Sequence, residues 1–299
     1  MINVTLIGTA ATMPLPGRAL ASAFVNCCGH SILFDCGEGT QSAARAVHVN
    51  LMKTELIALT HYHGDHTLGL PGLLQSWGVL GRSAPVTVTG PAGLERALAP
   101  VLELCGALPY ELRLVPFPED GLRLESWPSE MRLESFRTEH RCASTGYSLQ
   151  LSRPGRFLAG RAVELGIPQK LWSVLQHGES VEGFCPSDVL GPPRKGLRFI
   201  YTGDSQPCGS IVEAARGADL MICESTFPDE DAEQAAAYGH CTVSQAAQMA
   251  ADAGVSALWL SHFSQSIKEP EELLPAASAV FPAATAGTDG LSVTLRFEE

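Results

Sequence analysis

The stretch that decides the fold is Leu59-Thr60-His61-Tyr62-His63-Gly64-Asp65-His66-Thr67-Leu68-Gly69-Leu70. An apolar, strand-like run ends here in three histidines and an aspartate, and a sequence typical of a helix follows. Imidazole and carboxylate groups are ligands that zinc binds in proteins, so their crowding predicts a metal site. By their spacing of two, His61 and His63 face the same side of extended backbone, while Asp65 and His66 follow where the helix begins. One short loop could therefore supply ligands to two neighbouring ions.

Further ligands are expected at the ends of other strands, because the carboxyl ends of parallel strands meet at one edge of an α/β sheet. Short apolar runs that end in polar residues predict strands at 3–7, 31–34, 56–59, 197–201 and 258–260. Asp204 and His262 follow two of these runs, and His140 follows the run 133–139. A single His or Asp at a strand end is more often a hydrogen-bonded structural residue. Together with the first motif, the three predict a two-metal centre.

Helix-like stretches separate several of the strands, which predicts an α/β chain with interior sheets. They lie at 68–79, 93–104, 210–216 and 243–253. The run Thr242-Val243-Ser244-Gln245 matches a capping box, so it is expected to open the last of these helices with His240 just outside.

Composition limits the class of protein. The chain has 299 residues, of which 45% are hydrophobic and 17% charged, and this excludes a disordered protein. A net charge of -12 argues against a surface that binds a polyanion everywhere. No run reaches the roughly 18 apolar residues that cross a bilayer, and no basic residue precedes Arg18, so neither a membrane segment nor a signal peptide is expected. The scattered cysteines, nine in number, favour a reducing cytoplasm.

Residues 153–198 differ from the rest of the chain. They carry seven basic and four acidic residues, a balance of +3, whereas the remainder carries -15. Prolines and loop residues surround a helical stretch at 160–175, which suggests an excursion from the core. An ordinary solvated loop would have the same composition, so both interpretations stay open.

The order His-x-His-x-Asp-His, followed by His140, Asp204 and His262, resembles that of the metallo-β-lactamase fold. Narrower signatures resemble the ribonuclease Z family of tRNA 3′-end endonucleases. These are Leu6-Ile7-Gly8-Thr9, Phe34-Asp35-Cys36-Gly37-Glu38-Gly39-Thr40-Gln41 and His66-Thr67-Leu68-Gly69-Leu70-Pro71-Gly72-Leu73-Leu74. The resemblance covers essentially the whole chain. It implies a four-layer αββα sandwich, one domain over residues 1–299, with 153–198 as an inserted, protruding arm.

The resemblance also implies two zinc ions per subunit, although manganese or iron would suit the same ligands. One ion would be held by His61, His63 and His140, the other by Asp65, His66 and His262, with Asp204 bridging them. Such a pair can hold a bridging hydroxide and stabilise both oxygens of an in-line phosphoryl displacement. Asp65 would also be the general base. Asp35 would orient a ligating imidazole, although a turn or N-cap aspartate would look the same in the sequence.

The resemblance places a proton donor elsewhere in the chain. The family has His-Glu-Ala-Thr and His-Ser-Thr motifs where this chain has Cys223-Glu224-Ser225-Thr226 and His240-Cys241-Thr242. Glu224 would position His240 as general acid, the alternative being a surface histidine at a helix entry. Cys223 stands where the family has histidine, and this change is expected to remove a proton carrier.

The implied activity is removal of the 3′ trailer from precursor tRNA, with the arm holding the tRNA and a homodimer as the working unit. Arg18, Arg156 and Lys170 are the expected substrate contacts. Two alternatives stay open. One is a related metallohydrolase that acts on a small phosphodiester, such as a cyclic nucleotide, or on another ester. The other is a zinc-loaded RNA-binding or scaffold protein with little turnover.

Overall fold

The structure is a computed structural model that describes residues 1–298, and it contains two β-sheets that pack face to face. Its strands are β1 (Ile2–Gly8), β2 (Ser22–Cys27), β3 (His30–Phe34), β4 (Thr54–Ala58), β5 (Val86–Gly90), β6 (Leu112–Pro116), β7 (Met131–Arg137), β8 (Thr145–Arg153), β9 (Arg194–Tyr201), β10 (Leu220–Glu224), β11 (Leu258–Ser261), β12 (Ala284–Ala286) and β13 (Ser292–Leu295). The first sheet has the order β13-β1-β2-β3-β4-β5-β6, and the second β12-β11-β10-β9-β8-β7.

Most helices in residues 1–298 cover the outer faces of the two sheets. The helices are α1 (Thr40–Ala46), α2 (Gly64–Thr67), α3 (Leu70–Val79), α4 (Leu94–Cys105), α5 (Ala159–Glu164), α6 (Trp172–Gln176), α7 (Pro186–Val189), α8 (Gly209–Ala215), α9 (Ala232–Tyr238), α10 (Val243–Ala253) and α11 (Leu274–Val280). Short 3₁₀ turns lie at Leu51–Lys53, Gln169–Leu171, Asp229–Asp231 and Pro270–Leu273. No helix within residues 1–298 is long and apolar enough to cross a membrane.

Three apolar layers hold the sandwich together. The layer between the sheets is built around Phe34, whose ring centroid lies 5.8 Å from that of Tyr147 and 5.6 Å from that of Phe199. A second layer joins the first sheet to α1, α3 and α4, and a third joins the second sheet to α8, α10 and α11. Because central strands such as β4 bury alternate side chains in two different layers, both sheets are interior. The predicted four-layer αββα sandwich is confirmed.

The pairing of the strands decides where polar loop residues meet. Strands β3 to β6 run parallel in the first sheet, and β9 to β12 run parallel in the second. The predicted strands at 3–7, 31–34, 56–59, 197–201 and 258–260 coincide with β1, β3, β4, β9 and β11. The capping box is also present, since Gln245 Oε1 accepts a hydrogen bond from Thr242 N at 2.9 Å, and α10 begins there.

Residues 154–193, called the arm below, connect β8 to β9. They contain α5, α6 and α7, which pack around an apolar cluster of their own that includes the fully buried Ala162, Leu175 and Val189. The predicted single helix at 160–175 is wrong, because Gly166 adopts a positive φ of 67° and Pro168 follows it. The predicted bounds 153–198 are also too wide: Arg153 ends β8, and residues 194–198 belong to β9.

Candidate metal centre

The predicted metal ligands, with Asp35 and Glu224, come together at one edge of the sandwich, where loops from both sheets meet. Asp35 follows β3, the motif from His61 to His66 follows β4, His140 follows β7, Asp204 follows β9, Glu224 ends β10 and His262 follows β11. This position at a strand's carboxyl end was expected from the sequence for the motif, His140, Asp204 and His262, whereas no strand was predicted before Glu224.

Two glycines allow these loops to approach one another. Gly203 has a φ of +62°, and a Cβ added to it would lie 2.6 Å from Cβ of Thr60. Any other residue would therefore push Asp204 away from the motif that follows β4. A Cβ on Gly37 would collide with the backbone carbonyl of Asp65. The Asp-Cys-Gly-Glu-Gly run is thus partly a steric requirement for packing one loop on the other.

A first cluster consists of three imidazoles. His61 Nε2 lies 2.9 Å from His63 Nδ1, and His140 Nε2 lies 3.4 Å from that same His63 atom. Nitrogen ligands on a tetrahedral zinc ion lie roughly 3.3 Å apart, given zinc–nitrogen bonds of about 2.0 Å. The three nitrogens therefore have the separation of ligands to one ion.

A second cluster lies beside the first. Asp65 Oδ2 is 3.7 Å from His66 Nε2 and 3.6 Å from His262 Nε2. Asp204 lies between the two clusters: its Oδ1 is 3.3 Å from His262, and its Oδ2 is 3.4 Å from His66 and 3.7 Å from His61. This carboxylate can therefore reach an ion in either cluster.

Buried polar atoms without partners support a metal between these residues. Within residues 1–298, His66 Nε2, His262 Nε2 and Asp204 Oδ1 are buried and make no hydrogen bond. Leaving such atoms unpaired is costly, so a buried polar atom without a partner needs an explanation. All three point into the second cluster, where a divalent cation would satisfy them, and the residues present therefore fit a metal.

Hydrogen bonds to residues outside the clusters fix the tautomers of His61 and His66. Thr60 Oγ1 donates to Asp35 Oδ2 at 2.9 Å, so it accepts from His61 Nδ1 at 3.1 Å. His66 Nδ1 donates to Asp35 Oδ2 at 2.8 Å. With the proton on Nδ1, the lone pair of Nε2 in both rings faces the metal positions.

The same arrangement recurs on the second sheet. His140 Nδ1 donates to the carbonyl oxygen of Gly239 at 2.8 Å. Thr226 Oγ1 donates to Glu224 Oε2 at 2.7 Å and therefore accepts from His262 Nδ1 at 2.9 Å. No role was predicted for Thr60, Thr226 or Gly239. Thr60 and Thr226 lie within the motifs around His61 and Glu224, but the role of the Gly239 carbonyl leaves no signal in the sequence.

Backbone strain is concentrated at this centre. Asp35 has a φ of +57° and His262 a φ of +58°, in the left-handed region that non-glycine residues rarely adopt. Thr12, at +64°, donates its backbone N–H to Asp65 Oδ2 at 2.9 Å. Such conformations each cost about 1 to 3 kcal/mol and are typical of functional sites.

The electrostatics favour a cation. Burial would lower the pKa of His66, but the carboxylates of Asp204 and Asp35 raise it well above its ordinary value. Burial would raise the pKa of Asp65, yet the neighbouring imidazoles of His262 and His66 hold it well below its ordinary value. Burial and the neighbouring His66 lower the pKa of His61, which therefore stays neutral and able to bind a metal. The cluster thus stabilises positive charge among its carboxylates.

Next to the two clusters lies a charged pair. His240 Nδ1 donates to Glu224 Oε1 at 2.8 Å, and the same carboxylate accepts backbone N–H groups of Ser205, Thr226 and Cys241. Burial would lower the pKa of His240, but Glu224 raises it to about 9. Its Nε2 is then a protonated donor at neutral pH beside a cleft of about 620 Å³ that His63, His140 and Arg141 also line.

Cys223 does not face this site. Its side chain is fully buried in the apolar layer between the second sheet and α10, along with Met221. Adjacent residues of a strand face opposite sides, so when Glu224 points to the site Cys223 points away from it. The expectation that Cys223 removes a proton carrier is therefore wrong, and strand alternation is the signal that could have corrected it.

The expected substrate contacts have different surroundings. Arg18 is partly buried and donates to the carbonyl oxygens of Ile267 at 2.8 Å and Lys268 at 2.6 Å. Two of its five donors thus anchor a neighbouring loop. Arg156 and Lys170 are exposed on the arm, and Lys170 lies 3.9 Å from Glu182.

Two family profiles of known proteins match this chain. The metallo-β-lactamase superfamily profile matches residues 18–155, and a β-lactamase superfamily domain matches residues 176–263. The chain is 40% identical over 306 residues to ribonuclease Z of Lachnoclostridium phytofermentans, covering 100% of this chain and 99% of that one.

Solved structures with a similar fold are also known. Human tRNase Z, short form, has a TM-score of 0.69 at 26% identity, covering 99% of this chain and 100% of that one. The metallo-β-lactamase fold protein YhfI from Bacillus subtilis has a TM-score of 0.71 at 20% identity, covering 98% of each chain, which shows a common fold.

Proposed function

Since the chain belongs to the ribonuclease Z family, we propose that it is a metal-dependent endoribonuclease that removes the 3′ trailer from precursor tRNA. The observation that carries the proposal is the set of two ligand clusters, joined by Asp204, beside the His240–Glu224 pair. This arrangement combines the parts that hydrolysis of a phosphodiester needs: a place for divalent metal, a carboxylate base and a separate acid.

We propose that two divalent ions, zinc in the first instance, are held by the two clusters. When bound, such ions activate water at neutral pH and stabilise charge on the phosphoryl oxygens. His61, His63 and His140 would hold one ion, and the other would be held by the remaining ligands, Asp65, His66 and His262, with Asp204 shared. Manganese or iron would suit the same ligands, since availability decides between metals of similar affinity.

The chain's own residues supply the proton transfers. The carboxylate of Asp65, kept ionised by its surroundings and oriented by the N–H of Thr12, accepts the proton of the attacking water. His240, protonated at neutral pH through Glu224, donates from Nε2 to the 3′ oxygen that leaves. The upstream product then ends in a 3′-hydroxyl.

The substrate assignment depends on the arm. It leaves the sandwich at the end of β8, returns at the start of β9 and has its own apolar cluster, as expected of a segment that reaches away from the body. We propose that Arg156 and Lys170 on the arm contact tRNA phosphates, and that Arg18 does so near the site with its remaining donors. The arm itself carries three basic and four acidic residues, so we propose that these individual side chains act together with the basic residues at its base, Arg153, Arg194 and Lys195.

We further propose a homodimer in a reducing compartment such as the cytoplasm. All nine cysteines are free, which fits such a compartment. The arm begins and ends at the end of β9 opposite to Asp204, with Arg153 paired to Arg194. Seven residue steps of about 3.3 Å separate Arg194 from Tyr201, so the base of the arm lies roughly 23 Å from the edge that holds the centre. That geometry suits an arm that serves the site of a partner subunit.

The test uses two substrates, a 3′-extended precursor tRNA and bis(p-nitrophenyl) phosphate, with the metal-loaded protein. Asp65→Asn should abolish cleavage of both. Replacing residues 154–193 by a two-residue turn between Arg153 and Arg194, which are already paired, should abolish only the cleavage of tRNA. If the wild type hydrolyses the small diester but neither binds nor cuts precursor tRNA, the substrate assignment fails in favour of a small-phosphodiester hydrolase. Tight tRNA binding without single-turnover cleavage would instead favour a binding protein.

A further inference from the structure

Cys142 lies beside the first metal cluster. It follows His140 by two residues on the loop between β7 and β8. Its Sγ and the ligand nitrogens of His61, His63 and His140 all lie within 4.8 Å of one another. Each of the three imidazoles is an expected ligand, whereas no motif assigns a role to the thiol.

The loop that carries Cys142 is fixed on both sides of it. On one side Glu139 N donates to Ser205 Oγ at 3.0 Å, and Glu139 O accepts from Gln206 N at 2.7 Å. On the other side Ser144 Oγ donates to the carbonyl oxygen of Asp204 at 3.2 Å.

Two further bonds tie the loop to the rest of the centre. Thr145 N donates to the carbonyl oxygen of Thr60 at 2.9 Å, directly before His61. His140 itself is held through Gly239 at 2.8 Å. The thiol is therefore positioned by the same loops that position the other ligands, as is required of a preorganised site.

We propose that Cys142 Sγ is a ligand of the ion that His61, His63 and His140 hold. The inference rests on the proposed function only in assuming that an ion binds there. Zinc binds imidazole nitrogen at about 2.0 Å and thiolate at about 2.3 Å and can take a fifth ligand, so the sulfur can join the three nitrogens without excluding the shared carboxylate of Asp204. The sulfur supplies both electrons of the new bond, and the thiol proton passes to solvent.

A thiolate makes this position softer than a site of imidazoles and carboxylates alone. Soft ligands favour zinc and cadmium over manganese, which prefers oxygen. The proposal therefore assigns Cys142 a role in metal choice: the chain should retain zinc in competition with manganese, and removal of the sulfur should reduce that preference.

The test is titration of the metal-free protein with Co²⁺, followed by absorption spectroscopy. A sulfur-to-cobalt charge-transfer band in the near ultraviolet should appear in the wild type, vanish in Cys142→Ser and persist in Cys28→Ser. Cys28 is an exposed cysteine at the turn between β2 and β3, so it is a matched control for adventitious binding. Cys142→His should bind cobalt without the band, which guards against a serine variant that simply loses the metal. Zinc retention against manganese should fall by about 10-fold or more in Cys142→Ser.

The outcomes separate this inference from the proposed function. If the wild type takes up no metal, measured by elemental analysis, the metal centre itself is wrong. If it takes up metal but shows no sulfur band, or if the band survives in Cys142→Ser, Cys142 is not a ligand while the metal centre stands.

Discussion

Four ligand imidazoles each donate a hydrogen bond from Nδ1, namely those of His61, His66, His140 and His262. In each case the acceptor lies outside the metal clusters: Asp35 or a threonine whose own proton is already donated to a carboxylate, or a backbone carbonyl. Each bond leaves the Nε2 lone pair free, so the ligand geometry exists before any ion binds. The ligands are therefore already ordered in the folded protein, and metal affinity should depend on the residues that accept these hydrogen bonds.

Asp35→Asn tests this dependence. Asp35 accepts from Thr60 N, Thr60 Oγ1 and His66 Nδ1, and an amide must turn its NH₂ group toward one of these donors. Asparagine tolerates the φ of +57° at this position, so the backbone is not the cause of any effect. We expect metal affinity to fall by about 10- to 100-fold, measured by competition with a chelator. Unchanged affinity in a folded variant would show that Asp35 does not orient His66.

Glu224→Gln tests the source of the His240 proton. The carboxylate raises the pKa of His240 to about 9, so its removal should lower that pKa by about 1 to 3 units. Because the protonated ring is the acid, the basic limb of the kcat/KM profile for precursor tRNA should move to lower pH by the same amount. Bis(p-nitrophenyl) phosphate has a leaving group that departs without protonation, so its profile is the control. A basic limb that does not move would remove Glu224 from this role.

Strand ends were the elements most readily predicted from the sequence. The runs before His61, Asp204 and His262 are continuous and apolar, so a local pattern sufficed to place their polar ends at one edge. The direction in which the Cys223 side chain points was also predictable from local sequence. Cys223 and Glu224 are neighbours on β10, and adjacent residues of a strand face opposite sides. The engagement of Arg18 with Ile267 and Lys268 was not predictable, because those partners are about 250 positions away in the chain and carry no side-chain signal.

The arm shows the limits of composition at the scale of an element. Charge and proline content indicated an excursion from the core but not its bounds, because β8 and β9 continue through the basic residues at its edges. The break between α5 and α6 follows from Gly166 and Pro168, which the helical pattern of the flanking residues obscured. The apolar cluster beneath these helices could not be identified, since its members only meet once the segment folds back.

Leu175→Ala tests whether the arm is an independent element. Leu175 is fully buried in the arm's small apolar cluster. Its truncation should therefore lower the free energy of unfolding of the arm by about 2 to 5 kcal/mol. We expect protease sensitivity confined to residues 154–193 and a loss of precursor tRNA cleavage, with hydrolysis of bis(p-nitrophenyl) phosphate unchanged. Leu175→Met, which conserves volume, should behave as the wild type. Full tRNA cleavage by a protease-sensitive arm would exclude it from substrate binding.

At the scale of the whole molecule, the metal centre and the base of the arm lie at opposite ends of β9. The metal centre lies where β9 ends, and the basic residues Arg153, Arg194 and Lys195 lie near the other end of β9, at the base of the arm. A chain with a net charge of -12 repels RNA from most of its surface, while a few phosphate contacts on the arm, at its base and at Arg18 would give orientation. Such a division is useful only if the arm and a metal centre engage the same tRNA, either within one chain or across two.

A heterodimer with two different affinity tags separates these cases. One subunit carries Asp65→Asn with an intact arm, and the other has an intact centre with residues 154–193 replaced by a turn. Each homodimer should be inactive on precursor tRNA, because one lacks the base and the other the arm. If the arm serves the partner's site, the purified heterodimer has one productive pairing out of two and should show roughly half the wild-type rate. If each arm serves its own site, the heterodimer stays inactive, since no chain has both parts. A wild-type protein that sediments as a monomer at assay concentrations would rule out the arrangement across subunits directly.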